Sequence, residues 1–142
     1  IIQADHEGER IMERLRERIQ IAQQALTTFN ELVGKDQVSP VERDAAIQRF
    51  EYTFEATWKA AQRYLLIREG VDTGSPKAVV RAFWQSGILD EEMARQAFNM
   101  AEDRNLTVHP NNEEMAKIIY SHLNAYAGLL AKWITNMKHL ME

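Results

Sequence analysis

The chain is organised around one nine-residue stretch, Glu102-Asp103-Arg104-Asn105-Leu106-Thr107-Val108-His109-Pro110. We expect this stretch to join the end of one amphipathic helix to the start of another, because a proline disfavours helical geometry in the residue before it. On an unbroken helix, Arg104 and His109 would lie about 140° apart around the axis. With a break at Pro110, His109 falls just past the helix end, where its imidazole can turn back towards Arg104.

The side chains of this stretch can together hold a phosphate and move a proton near neutral pH. Its candidate site residues are Asp103, Arg104, Asn105 and His109. A purely structural interpretation stands beside this one, because a histidine and an arginine near a helix end often only satisfy the last carbonyl groups of the helix. The spacing between Arg104 and His109 is too common by itself to decide between the two.

Length and composition limit the class of protein. The 142 residues favour one domain over residues 1–142 with a single substantial core. The chain has no cysteine, which excludes disulfides and thiolate metal sites and fits a reducing compartment. It has neither an apolar run of roughly 20 residues nor the order of a signal peptide at its start, so we expect a cytoplasmic protein without membrane association. A net charge of −4 argues against a chain-wide surface for nucleic acid but leaves a local one open.

Apolar positions that recur every three or four residues predict helices throughout, and no strand-like alternation is present. The first helix is predicted from about Glu9 to Val33, before Gly34. The second begins at Ser39-Pro40-Val41-Glu42, which has the pattern of a capping box with proline in the first turn, and ends at Gly70. Ser75 opens a short third helix, Asp90 caps the fourth, and Asn111 caps the fifth. The predicted fold is all-α, an up-and-down four-helix bundle with one extra short helix.

The fifth predicted helix is apolar over more than one stripe. Its apolar positions are Ile118, Ile119, Leu123, Tyr126, Leu129, Leu130, Trp133, Ile134, Met137, Leu140 and Met141. Such a helix is either central to the bundle or shared with another subunit. We therefore predict a homodimer built mainly on this helix, which a charge at Trp133 or Leu130 should weaken if those residues face the partner.

Three segments in order along the chain resemble the HEPN superfamily of small helical-bundle proteins. They are the helix segment Phe50–Lys59, Ser75-Pro76 with the run Ala82–Leu89, and the stretch Glu102–His109. The resemblance is to the branch of nucleotidyltransferase substrate-binding subunits and related HepT-like toxins. It implies a HEPN-like bundle for this chain.

The resemblance also implies roles for the candidate residues. In nuclease members, the arginine, the polar residue after it and the histidine form a metal-independent ribonuclease site, usually completed across a dimer; here these would be Arg104, Asn105 and His109. In the substrate-binding branch, the subunit pairs with a separate small nucleotidyltransferase and helps to present its substrate. Toxin members often carry a tyrosine two residues after the histidine, which the partner enzyme nucleotidylates. That position is Asn111 here, which favours the accessory-subunit role.

The leading hypothesis is therefore a non-catalytic, homodimeric substrate-binding subunit, without a cofactor of its own, that holds a nucleotide or another phosphate-bearing ligand near Arg104. The alternative is a HepT-like toxin that cleaves RNA, with His109 as general base or acid and Arg104 stabilising charge on the phosphate. The sequence leaves open which of the two holds, and with it whether the chain is an enzyme. A hydrolytic metal site of Glu102, Asp103 and His109 is weaker, because the spacing is not diagnostic and His122 lies elsewhere on a helix.

Overall fold

The computed structural model describes residues 2–107 and 112–142, with side chains from residue 6 onward. These ranges contain five α-helices and no strand. The helices are α1 (Ile2–Asn30), α2 (Pro40–Tyr64), α3 (Pro76–Gln85), α4 (Glu91–Leu106) and α5 (Glu113–Leu140). The prediction of an all-α fold with four long helices and a short extra helix is confirmed.

The predicted start signals of three helices are confirmed by their hydrogen bonds. At the start of α2, the Ser39 hydroxyl accepts from the Glu42 amide at 3.1 Å, and the Glu42 carboxylate accepts from the Ser39 amide at 3.2 Å. Ser75 caps α3 and Asp90 caps α4 in the same way, each accepting from an amide three residues later. Satisfying these amides fixes where the chain enters each helix.

Other predicted boundaries were wrong. The first helix begins at Ile2 rather than Glu9, because its first turns continue through exposed residues that lack the apolar stripe on which the prediction relied. It ends at Asn30 rather than Val33, and Gly34 follows in the left-handed region with φ of 81°. By contrast, the predicted end of the second helix at Gly70 is confirmed, because α2 ends at Tyr64, the chain continues as a π-helical segment, Leu65–Glu69, and Gly70 caps that segment. The cap of α5 is Asn112, and Asn111 lies outside the described residues.

Helices α1, α2 and α5 each pack against the other two, while α3 packs on α2 and α4 and α4 packs on α5. Eight of the eleven apolar positions named for the fifth helix are buried in this core, and Trp133 and Leu130 have no exposed surface, whereas Ile118 and Leu140 are exposed. Trp133 meets Phe83 of α3 edge to face, with ring centroids 5.5 Å apart. Most of the broad apolar surface of α5 is thus explained by its central place in the bundle. Trp133 and Leu130 face the core, so the condition under which a charge at either would weaken a dimer is not met, and the homodimer itself stays a prediction.

In the part of the chain that the structure describes, no helix is long and apolar enough to cross a membrane.

Candidate functional site

The last turn of α4 carries most of the predicted site residues. The helix runs to Leu106 and Thr107 closes it, so Asp103, Arg104 and Asn105 lie within the final turn rather than beyond it. Asp103 and Arg104 diverge around the helix axis because successive residues differ by about 100°. Asp103 therefore faces α5, whereas Arg104 reaches towards α2.

The guanidinium of Arg104 is held only loosely. Its Nη1 atom lies 3.9 Å from Glu51 Oε2 on α2 and donates to Thr107 Oγ1 at 3.5 Å, both at the outer limit of such contacts. Its Nε atom is buried without a hydrogen-bond partner among the described residues. A buried donor without an acceptor costs about 1–3 kcal/mol. An acceptor that reached Nε would recover that cost. The Arg104 side chain is 26% exposed but Nε itself is buried, so an acceptor from outside reaches Nε only if the side chain shifts.

Asp103 is the centre of a tighter network between α4 and α5. Its Oδ2 atom accepts from the Tyr126 hydroxyl at 2.5 Å and is 2.7 Å from His122 Nδ1. Burial, reinforced by the hydrogen bond to Asp103 and by its charge, raises the pKa of Tyr126. The Tyr126 hydroxyl therefore stays protonated over the physiological range and remains a donor to the carboxylate.

This network is anchored on the aromatic core. The Tyr126 ring stacks on Phe50 of α2, with centroids 5.5 Å apart and planes 21° apart. His122 lies one turn earlier on α5 and meets Tyr126 edge-on at 5.9 Å. Rigid packing on both sides of Tyr126 fixes the acceptor Asp103, and with it the last turn of α4.

Two clefts flank the end of α4, and Leu106 lines both of them. The cleft between α4 and α5 has a volume of about 410 Å³, and its walls include Asn99, Asp103 and His122. The cleft beside α2 has a volume of about 240 Å³, and its walls include Glu51, Thr107 and Asn112. Arg104 contacts two residues of this second cleft, so its guanidinium lies at the side of the α2 cleft.

The structure brings together only part of the predicted site. Asn105 is exposed and makes no side-chain hydrogen bond to another described residue. His109 lies outside the described residues, so its convergence with Arg104 stays a prediction. His122, which the sequence analysis set aside, is instead in contact with Asp103. The only sequence signal for it is that His122 and Tyr126 are four residues apart, and hence on one face of α5.

Within residues 2–107 and 112–142, no group of three or more histidine, aspartate or glutamate side chains is placed to hold a metal ion.

Comparison with known proteins places this geometry in context. Residues 17–139 match the family model described as nucleotidyltransferase substrate binding protein like. A protein of Thermus thermophilus with a known crystal structure is 50% identical, with a TM-score of 0.80, over 82% of this chain and 98% of that one. A chain from a mutant of the toxin–antitoxin MntA–HpeT has a TM-score of 0.74 over 88% of this chain and 97% of its own, and at 14% identity it shows the same fold alone. No curated protein sequence matches this chain significantly.

Proposed function

Because this chain belongs to the family of nucleotidyltransferase substrate-binding-like proteins, we propose that it is the non-catalytic accessory subunit of a separate small nucleotidyltransferase. Its role in this proposal is to hold a nucleotide, or another phosphate-bearing substrate, for the partner enzyme. The ligand phosphate is held by Arg104, with Asn105 and His109 contributing from the same segment.

The observation that carries the proposal is the state of the Arg104 guanidinium. A structural arginine usually has its fork of donors filled by a carboxylate or by carbonyl groups. Arg104 has only two long contacts, 3.9 Å to Glu51 and 3.5 Å to Thr107, and a buried Nε without a partner in the described part of the chain. A phosphate can accept from Nε and one Nη atom together, which is the two-point geometry that arginine provides and lysine does not.

Glu51 is expected to oppose the binding of a phosphate to Arg104. In the absence of ligand it is the counter-charge that keeps Arg104 on the side of α2. A bound phosphate competes with it for the same guanidinium, and the negative charge of Glu51 repels the phosphate. The proposal therefore assigns the two residues opposite effects on affinity.

Binding of AMP, measured by calorimetry on protein purified without a partner, tests this proposal. Arg104→Ala should weaken binding about 10- to 100-fold, since a charge-assisted hydrogen bond contributes about 1.5–3 kcal/mol. Glu51→Gln should tighten binding, and Arg81→Ala, which removes an exposed arginine of α3, should leave it unchanged. Equal affinity of the Arg104→Ala variant and the wild type would contradict the proposal.

The homodimer is a separate part of the proposal. Most apolar residues of α5 are used within the bundle, so a dimer would form through its exposed residues, such as Ile118 and Leu140, or through another surface. Light scattering at micromolar concentration distinguishes one chain from two, and Leu130→Asp should unfold the protein rather than separate a dimer.

The ribonuclease alternative makes a different prediction for the same residues. If Arg104, Asn105 and His109 cut RNA without a metal, wild-type protein should cleave RNA in the presence of EDTA, and His109→Ala should lose about 10²–10⁴-fold in rate. The accessory-subunit proposal predicts no cleavage by either protein. Cleavage by the wild type alone would replace that proposal with the ribonuclease.

A further inference from the structure

His122 lines the cleft of about 410 Å³ between α4 and α5, and its side chain is held in place by other residues of the same cleft. Its imidazole is held by Asp103, which is only 14% exposed and is fixed in turn by Tyr126. An ionised carboxylate can only accept hydrogen bonds, so His122 Nδ1 must carry the hydrogen. In the neutral ring this leaves Nε2 as an acceptor, and no described residue occupies it. The His122 side chain is 46% exposed, so a ligand in the cleft can reach Nε2.

The charged side chains of this cleft are already paired. Arg95 donates to Glu92 at 3.0 Å, and Glu102 accepts from Lys77 at 3.1 Å. Asp103 is satisfied by His122 and Tyr126. Each charged side chain of this cleft therefore has a partner already, with which an ionic ligand would have to compete.

What remains is suited to a neutral ligand with hydroxyl groups. Leu106, Ala125 and the Tyr126 ring supply apolar wall, while Asn99 and His122 supply hydrogen-bonding groups at its sides. The volume falls in the range of roughly 300–1,000 Å³ that is common for small-molecule sites. A ribonucleoside has this combination, because the faces of its aromatic base can stack on apolar side chains and its ribose carries neighbouring hydroxyl groups.

We propose that the α4–α5 cleft binds the ribonucleoside part of the ligand, with a ribose hydroxyl donating to His122 Nε2. The inference rests on the proposed function in that Arg104, the neighbour of Asp103 on the same turn, holds the phosphate of that ligand. Leu106 lies between the two positions, since it lines both clefts. His122 thereby selects a ligand with ribose hydroxyl groups.

The test uses the four common ribonucleosides and their 2′,3′-dideoxy counterparts, none of which carries a phosphate. For the ribonucleoside that binds best to the wild type, removing the hydroxyl groups should weaken binding about tenfold, as expected for one or two hydrogen bonds. His122→Asn retains a donor for Asp103 but removes the Nε2 acceptor. This substitution should weaken binding of the ribonucleoside by a similar factor and leave binding of the dideoxynucleoside unchanged. His139→Ala, at an exposed histidine near the end of α5, should change neither.

If His122 had a purely structural role, His122→Asn would weaken the binding of the ribonucleoside and of its dideoxy counterpart equally. This result would overturn the inference. Failure of all four ribonucleosides to bind the wild type would overturn it as well. Inorganic phosphate separates this inference from the proposed function. If phosphate binds in a manner that depends on Arg104 but no nucleoside binds, the inference about the α4–α5 cleft is wrong and the proposed function stands. If nucleosides bind but phosphate does not, the role of Arg104 is wrong and the inference about the cleft stands.

Discussion

Two segments of α5 do different work in this protein. The segment around Trp133 is fully buried in the bundle, with Phe83 of α3 against the Trp133 ring, whereas the segment around His122, about three turns nearer the start of the helix, is half-exposed beside α4. Tyr126 lies between the two segments, and its ring stacks on Phe50 while its hydroxyl donates to Asp103. The comparison shows how a helix fixed by apolar packing can hold a polar network in a constant position at the surface.

The two segments should also differ in what they contribute to stability. Removing a large side chain from the buried segment leaves a cavity that close-packed neighbours cannot fill. Removing a member of the polar network costs only hydrogen bonds that water can partly replace. Substitutions in the two segments therefore test whether this difference is real.

The largest effect is expected at Trp133. Trp133→Ala should lower the free energy of unfolding by about 3–5 kcal/mol, through lost burial and a cavity next to Phe83. Trp84→Ala provides a matched control, because Trp84 is 45% exposed and should lose less than about 1 kcal/mol. Urea unfolding followed by circular dichroism measures both. If the two variants lost equal stability, the segment of α5 around Trp133 would not be part of the core.

An intermediate effect is expected at Asp103. Asp103→Ala leaves the Tyr126 hydroxyl without its acceptor and should cost about 1–3 kcal/mol. Glu102→Ala breaks only an exposed ion pair with Lys77 and should cost at most about 1 kcal/mol. Both values come from the same unfolding experiment. A loss at Asp103 as large as that at Trp133 would show that the polar network, too, is part of the core.

The smallest effect is expected at the start of α2, away from both segments of α5. A hydrogen bond from Lys35, together with the Ser39 amide, lowers the pKa of Glu42 from 4.5 to about 2. Because the pKa is lower in the folded state, the contribution of Glu42 is fully present above pH 4.5 and is lost as the pH falls towards 2. Glu42→Gln should therefore be less stable than the wild type at pH 7, by a small amount because the site is exposed, and the difference should shrink below pH 4.5. A difference that does not vary with pH would show that the charge of Glu42 contributes nothing to the cap.

Much of the fold could be predicted because the deciding signals are local. The caps at Ser39, Ser75 and Asp90 each depend on residues within three positions of one another, and all three are confirmed. The predicted start of α1 at Glu9 failed for the complementary reason. A helix whose first turns are exposed has no apolar period by which its start can be found.

The candidate site was harder to predict because it depends on how helices are aligned. The contact between Asp103 and His122 joins residues 19 positions apart and exists only in one register of α4 against α5. The apolar excess of α5 was correctly detected, but sequence could not say whether a second subunit or α1, α2 and α3 would cover it. In both cases the sequence identifies the residue types, but it does not identify which residues they contact in the folded protein.

The central claim is that the Arg104 guanidinium is kept available for a phosphate, and NMR of the arginine Nε–H groups tests it most directly. The Arg104 signal is identified by its disappearance in Arg104→Lys. On addition of inorganic phosphate or AMP, this account predicts a saturable shift of the Arg104 Nε–H signal, with the signal of the exposed Arg81 unmoved. An Arg104 signal that does not respond to either ligand, in protein that remains folded, would contradict the claim.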